Sequence, residues 1–245
     1  MTAGTSGRGV RQCPVAAYVE WVQQLALFDL DNTLIARQGA LSEWAHGFTT
    51  SRGMLDDAAY LITEMLSARA YPSDFARIKA TLGLRDSLES LWSEYVSGMA
   101  SRARCGEGVR EGLAVMLAEG WTVGIATNGS ADIQRAKLAS AGLADLVEGV
   151  CVSDDVQTRK PDRAVFEAAA RRCGATLSGG GWMVGDNPST DIEGGRAAGL
   201  RTLWIAAGKQ WPEGVDSPDA TAVGALEAIK YLLEWGRSFP SSVVS

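Results

Sequence analysis

The chain reads as an α/β fold, a doubly wound parallel sheet interrupted by one all-helical insertion. Three observations predict this. Short apolar runs at 25–28, 123–126 and 182–185 are each followed at once by a polar side chain, Asp29, Thr127 and Asp186, as strands buried on both faces are where they reach a rim. Stretches of helical periodicity alternate with the later runs, which implies parallel pairing through right-handed crossovers. Between the first and second runs lie about four helical patterns and no strand signal.

Taken in order, the first dozen residues are rich in Gly, Ser and Thr and read as a tail, and 15–23 as a short helix on the core. The strand at 25–28 precedes Asp29-Leu30-Asp31-Asn32-Thr33. Helices follow over 41–50, 55–68, 73–82 and 88–99, broken at Ser51-Arg52-Gly53, Ala70-Tyr71-Pro72 and Gly83. A helix over 108–118 leads back to the second strand, whose Gly-rich turn Thr127-Asn128-Gly129-Ser130 opens a helix over 131–141. A strand at 147–152 comes next, then Arg159-Lys160-Pro161-Asp162, where the proline fixes the entry to a helix over 164–173. The strand ending in Gly185-Asp186 is followed by a helix over 189–198, a strand at 201–205 and a closing helix over 223–235, with Gly199 and Gly208 as punctuation. Residues 239–245 read as a tail.

Ligands of open α/β sheets bind outside the carboxyl ends of the strands, so the residues ending these runs are the candidate site. With Asp29 on the strand and Asp31 in the turn after it, one carboxylate can act as nucleophile while the other handles protons or a metal. The plainer alternative is a helix N-cap with a charged neighbour. Thr127 and the turn after it can aim a hydroxyl and backbone N–H groups at an anion. Lys160 is held at a helix entry, and Asp186 and Asp191 bring two more acids to the same rim. Four clustered acids repel one another, a conflict that a bound cation resolves.

These residues closely resemble the haloacid dehalogenase (HAD) superfamily of phosphohydrolases. Its four motifs are D-x-D-x-T, a strand-end Thr or Ser, a Lys, and G-D-x-x-x-x-D. All four stand here in order as Asp29/Asp31/Thr33, Thr127, Lys160 and Gly185/Asp186/Asp191, and the resemblance spans residues 25–205. It implies a HAD-like, Rossmannoid core over 15–36 and 106–238, a helical (C1-type) cap over 37–105, and tails at 1–14 and 239–245. The hinges would be 35–40 and 101–107, and cap closure would exclude water from the reaction.

By resemblance the activity is a Mg²⁺-dependent phosphatase acting on a small phosphorylated metabolite. Asp29 would attack phosphorus to give an aspartyl-phosphate, and Asp31 would protonate the leaving alkoxide and then activate water. Thr127, Asn128 and Lys160 would bind the phosphoryl oxygens, whose charge must be neutralised. Asp29, Asp186 and the main-chain carbonyl of Asp31 would form a partial Mg²⁺ shell, Thr33 would support the first motif, and Asp191 would orient Lys160 or a metal-bound water. Candidates for cap contacts with substrate are Arg37, Glu43, Trp44, His46 and Arg52. A phosphomutase of the same superfamily uses the same two acids. The dehalogenase branch typically lacks the second acid, and a non-catalytic phosphate-binding or phospho-accepting domain would have lost at least one catalytic group.

Composition agrees with this reading. A chain of 245 residues, 46% hydrophobic, can bury a large core. A net charge of −6 without a basic cluster argues against nucleic acid as a partner. Cys13, Cys105, Cys151 and Cys173 show no paired spacing and His46 is the single histidine, which argues against a zinc site or disulfide framework. No run approaches the roughly 20 apolar residues of a membrane span, and the N-terminus lacks a signal-peptide pattern. The expectation is a cytoplasmic monomer or homodimer.

Overall fold

The computed structural model describes residues 23–238. Both expected tails, Cys13 and most of the short helix expected over 15–23 lie outside the described residues. Strand β1 (Leu25–Phe28) is completely buried. The chain then passes through α1 (Arg37–Thr50), α2 (Asp56–Leu66), α3 (Asp74–Leu82) and α4 (Leu88–Arg102) before returning through α5 (Val109–Ala118). Next come β2 (Thr122–Thr127), α6 (Ala131–Ser140), β3 (Gly149–Val152), α7 (Arg163–Arg172) and β4 (Trp182–Gly185). The chain finishes with α8 (Gly194–Ala197), β5 (Arg201–Ile205), β6 (Ala220–Ala222) and α9 (Ala225–Ser238).

The six strands form one parallel sheet in the order β3-β2-β1-β4-β5-β6. The chain winds outward from β1 through β2 to β3, then crosses to β4 on the other side of β1. That reversal makes the β1/β4 rim the topological switch point, where open sheets bind ligands. Register keeps the carboxyl ends level, with Phe28 opposite both Ile125 and Val184. Alternation along β1 sends Ala26 and Phe28 into a core shared with α5 and α9, and Leu25 and Leu27 into a second core under α7.

The inserted helices build their own core from Leu41, Trp44, Phe48, Ile62, Phe75 and Tyr95. Its centre is aromatic: Trp44 and Tyr95 meet edge to face at 4.8 Å. Gly83 ends α3 with φ +63°, a left-handed conformation that glycine adopts without penalty. Ile133 of α6 joins this core, and Trp92 of α4 donates from Nε1 to Asp132 at 2.6 Å, so the insertion rests on α6.

Several boundaries differ from the sequence expectation. Helix α1 begins at Arg37, so 37–40, expected as part of a hinge, is helical. The β3 strand is shorter than 147–152: a 3₁₀ turn, Ala144–Leu146, is followed by two irregular residues before the strand begins at Gly149. The helix expected over 189–198 is a π-helical segment, Pro188–Glu193, followed by α8. Asn187 starts that segment by accepting from the Ser189 and Thr190 amides, both at 3.1 Å. Strand β6 is only three residues long and gives no pattern to read. Among the described residues, no helix is long and apolar enough to cross a membrane.

Candidate active site

The acids gather where β1 and β4 end. Asp29 follows the last residue of β1, and its amide donates to the Val184 carbonyl at 2.8 Å, which fixes it to the neighbouring strand. The turn beyond it is closed by Asn32, at φ +60°, a left-handed conformation that a short polar side chain tolerates. Asn32 donates its amide to the Ile35 carbonyl at 2.7 Å, and this turn presents Asp31 to the same cavity. Thr33 is buried, but its hydroxyl has no hydrogen-bond partner and does not reach that cavity.

Lys160 stands at the centre. Its Nζ donates to Asp29 Oδ1 and to Asp191 Oδ1, each at 2.7 Å, and all three side chains are buried. Asn128 clamps the lysine's backbone, accepting from the Lys160 amide at 2.8 Å and donating to its carbonyl at 3.1 Å. Those bonds occupy Asn128 in placing Lys160. Asp191 also accepts from the Asn187 amide at 3.0 Å and from the Thr190 hydroxyl at 3.1 Å. It passes so close to β4 that a Cβ on Gly185 would collide with its carboxylate. The glycine before Asp186 thus has a packing reason, and Asp191 itself lies within the π-helical segment.

Burial pushes the Asp29 carboxyl up, to about 7, against the pull of the Lys160 ammonium. Burial also works against the charge of Lys160, but Asp191 and Asp29 more than offset it and its pKa lies above the ordinary lysine value. Asp186 is raised by burial, opposed by a 3.0 Å contact with the half-exposed Lys209.

Asp31 has its own lysine. Both of its carboxylate oxygens lie 2.7 Å from the Lys137 Nζ, and Arg37 Nε approaches to 3.8 Å. Burial pulls the pKa of Lys137 down, with Asp31 opposing. Gln134, one turn earlier on α6, donates to Thr127 Oγ1 at 2.7 Å. The crowding of acids expected to require a cation is therefore met in part by three lysines, each paired with a different part of the acid cluster.

The cavity over these groups measures about 330 Å³ and is closed on one side by the helical insertion, through Arg37, Arg69, Tyr71 and Tyr95. The expected Asp29, Asp31, Thr127, Asn128, Lys160, Asp186 and Asp191 all line it. Of the five cap candidates only Arg37 does. Trp44 is buried in the cap core, Glu43 and His46 are exposed on α1, and Arg52 pairs with Glu94 at 2.7 Å. Sequence reasoning missed Lys137, Gln134 and Lys209. The i, i+3 spacing of Gln134 and Lys137 put them on one face of α6, but nothing local said that this face looks at Asp31.

Asp29, Asp186 and Asp191 can each offer one oxygen within 4.8 Å of the others, a donor set suited to a hard divalent cation. Asp31 lies outside this carboxylate group, and Asp191, expected to act beside the ion, lies within it.

A parallel sheet with acids and a buried lysine at its switch point, under an inserted helical body, is a Rossmann-like core with a candidate active site at its rim. The sequence pattern of haloacid dehalogenase-like hydrolases matches residues 26–205, and the chain belongs to that family. It is 38% identical over 117 residues to the phosphoserine phosphatase of Thermus thermophilus, a match spanning 48% of this chain and 46% of that enzyme. It is 26% identical over 193 residues to the pyrimidine 5'-nucleotidase PynA of Streptococcus pneumoniae, spanning 73% and 81%. The chain thus spans about half the length of the first relative.

Among solved structures, the HAD-hydrolase YfnB of Bacillus subtilis bound to magnesium superimposes with a TM-score of 0.65 at 18% identity, covering 86% of this chain and 99% of that one. A HAD phosphatase from Thermococcus onnurineus gives 0.64 at 23% identity, covering 91% and 100%. At these identities the likeness is one of fold.

Proposed function

We propose that this chain hydrolyses small phosphomonoesters through an aspartyl-phosphate formed on Asp29. The observation that carries the reading is the Asp29–Lys160–Asp191 chain of contacts at the tip of the central strand, inside a cavity of substrate size. Relatives named phosphoserine phosphatase, pyrimidine 5'-nucleotidase and phosphoglycolate phosphatase support the same class of substrate.

The roles follow from position. An Asp29 oxygen attacks phosphorus as the ester P–O bond breaks, and Asp31 gives its proton to the departing alkoxide. In the second step Asp31 takes a proton from water as that water attacks phosphorus and the P–O bond to Asp29 breaks, releasing inorganic phosphate and the Asp29 carboxylate. Lys137 holds the Asp31 carboxylate toward the cavity. Gln134 donates to Thr127, leaving the Thr127 hydroxyl hydrogen free for a phosphoryl oxygen. Lys160 places its charge beside the same oxygens. Asn128 acts by positioning Lys160, and the buried Thr33 supports the turn.

The carboxylate oxygens of Asp29, Asp186 and Asp191 fit a hard cation such as Mg²⁺, which by the family resemblance Asp29, Asp186 and the main-chain carbonyl of Asp31 would hold. Bound there, the ion supplies positive charge against the phosphoryl group. Lys209 competes for Asp186, so Lys209→Ala is expected to tighten Mg²⁺ binding about twofold to fivefold in calorimetry. Unchanged affinity would show that the lysine does not compete.

The decisive experiment is phosphate release from a panel of small phosphomonoesters with and without Mg²⁺, with Asp29→Asn as control. Metal-dependent release lost in the variant supports the reading, and silence across the panel removes it. Asp31→Asn is expected to lower turnover about 10²–10⁴-fold. In single-turnover measurements both the formation and the breakdown of acid-quenched phosphoenzyme should be slower, because both proton transfers depend on that carboxyl. Near-normal turnover would reassign the acid–base role.

A further inference from the structure

Six cationic side chains line the catalytic cavity: Arg37, Arg69, Lys137, Arg159, Lys160 and Lys209. Four have carboxylate partners, namely Asp31 for Arg37 and Lys137, Asp29 and Asp191 for Lys160, and Asp186 for Lys209. Arg69 and Arg159 are the two, among the described residues, that have none. Both guanidinium groups instead lie over the ring of Tyr71, at 5.8 and 5.7 Å from its centroid. Aromatic contact steadies an arginine while leaving the N–H edge of its fork free for an anion.

Their position is specific. Arg69, Tyr71 and Arg159 line both the catalytic cavity and a neighbouring one of about 320 Å³, so they form part of the wall the two share. Arg69 belongs to the connection between α2 and α3, and Arg159 immediately precedes Lys160 in the core. The phosphoryl group would lie at Asp29 and Lys160, which line the catalytic cavity and not the neighbouring one. A leaving alcohol that extends toward the neighbouring cavity would meet Arg69 and Arg159, which line both. Two unpaired positive charges there favour an alcohol that carries negative charge of its own.

We propose that Arg69 and Arg159, braced by Tyr71, form a second anion subsite, and that the substrates are phosphomonoesters whose alcohol carries a carboxylate or a second phosphate. This deepens the phosphatase reading and rests on it. Because one arginine comes from the cap and the other from the core, an anion between them is held by both. The subsite is thus a specificity device, separate from the groups that act on phosphorus.

The test compares three probes of similar size: ethyl phosphate, 2-phosphoglycolate and ethylene glycol bisphosphate. Each is measured with the wild type, Arg69→Gln, Arg159→Gln and the double variant. The quantity read is the ratio of kcat/KM for each anionic ester to that for ethyl phosphate. It is expected to fall about tenfold in each single variant and further in the double variant. An effect on the carboxylate ester, the bisphosphate or both identifies the second anion, and an unchanged ratio for both overturns the subsite while leaving the phosphatase reading intact.

The same ratio is measured as dissociation constants by calorimetry in the Asp29→Asn background, with and without the arginine substitutions. This arm answers even if the wild type hydrolyses none of the three. A binding preference that the substitutions abolish supports the subsite, and no preference, or one they leave unchanged, overturns it. Melting temperatures of the variants separate loss of the subsite from loss of the fold.

Discussion

Asp29→Asn is expected to eliminate turnover, by at least about 10³-fold, while the protein remains as stable as the wild type or gains stability. The first half follows from the proposed nucleophile, because a carboxamide does not form the acyl phosphate. The second half follows from charge. Asp29 and Asp191 share one buried ammonium, and burial disfavours the ionised form of Asp29. Asparagine keeps the shape, removes one buried negative charge and leaves the Lys160–Asp191 pair intact. Parallel measurements of phosphate release and Tm check both halves. A variant that turns over like the wild type would remove Asp29 as nucleophile, and one that melts well below it would make Asp29 a structural acid.

The neighbouring substitution should behave in the opposite way on stability. Lys160→Met removes the ammonium that neutralises two buried carboxylates, and stripping one partner from a buried ion pair costs about 3–5 kcal/mol. For a chain of this size that corresponds to a fall in Tm of roughly 6–20 °C. Phosphate release should be lost as well. Combining it with Asp29→Asn should recover part of the stability, because only Asp191 then remains uncompensated, and the difference from additivity measures the Asp29–Lys160 coupling. A fully stable Lys160→Met protein, or strict additivity, would show that the charges are solvated in a way their burial does not suggest.

The contrast between these two variants illustrates what is legible in a sequence. The strand ends at Asp29, Thr127 and Asp186, and Lys160 at a helix entry, were readable because short apolar runs with polar ends are local patterns. So were the four inserted helices, whose periodicity and breaks lie within a few residues of one another. Their order along the chain matched a family, and the family fixed the fold. The π turn at Pro188–Glu193 was not readable, because a helix-forming sequence does not display whether it gains a residue per turn. It arises where Asn187 caps the start and Asp191 is drawn to Lys160 from another segment.

The sequence by itself determined the type of fold, the helical insertion and which acids would meet at the rim. Those properties depend on patterns of burial along single elements, and such patterns are written in neighbouring residues. Only the tertiary structure decided which cation each acid would find. Lys137 lies 106 positions from Asp31, and Lys160 lies 131 from Asp29. It alone placed Arg69 of the insertion beside Arg159 of the core, over the ring of Tyr71. Pairing of charges is a property of distance in space, and distance in space is set by the packing of whole elements, which no single stretch of sequence contains.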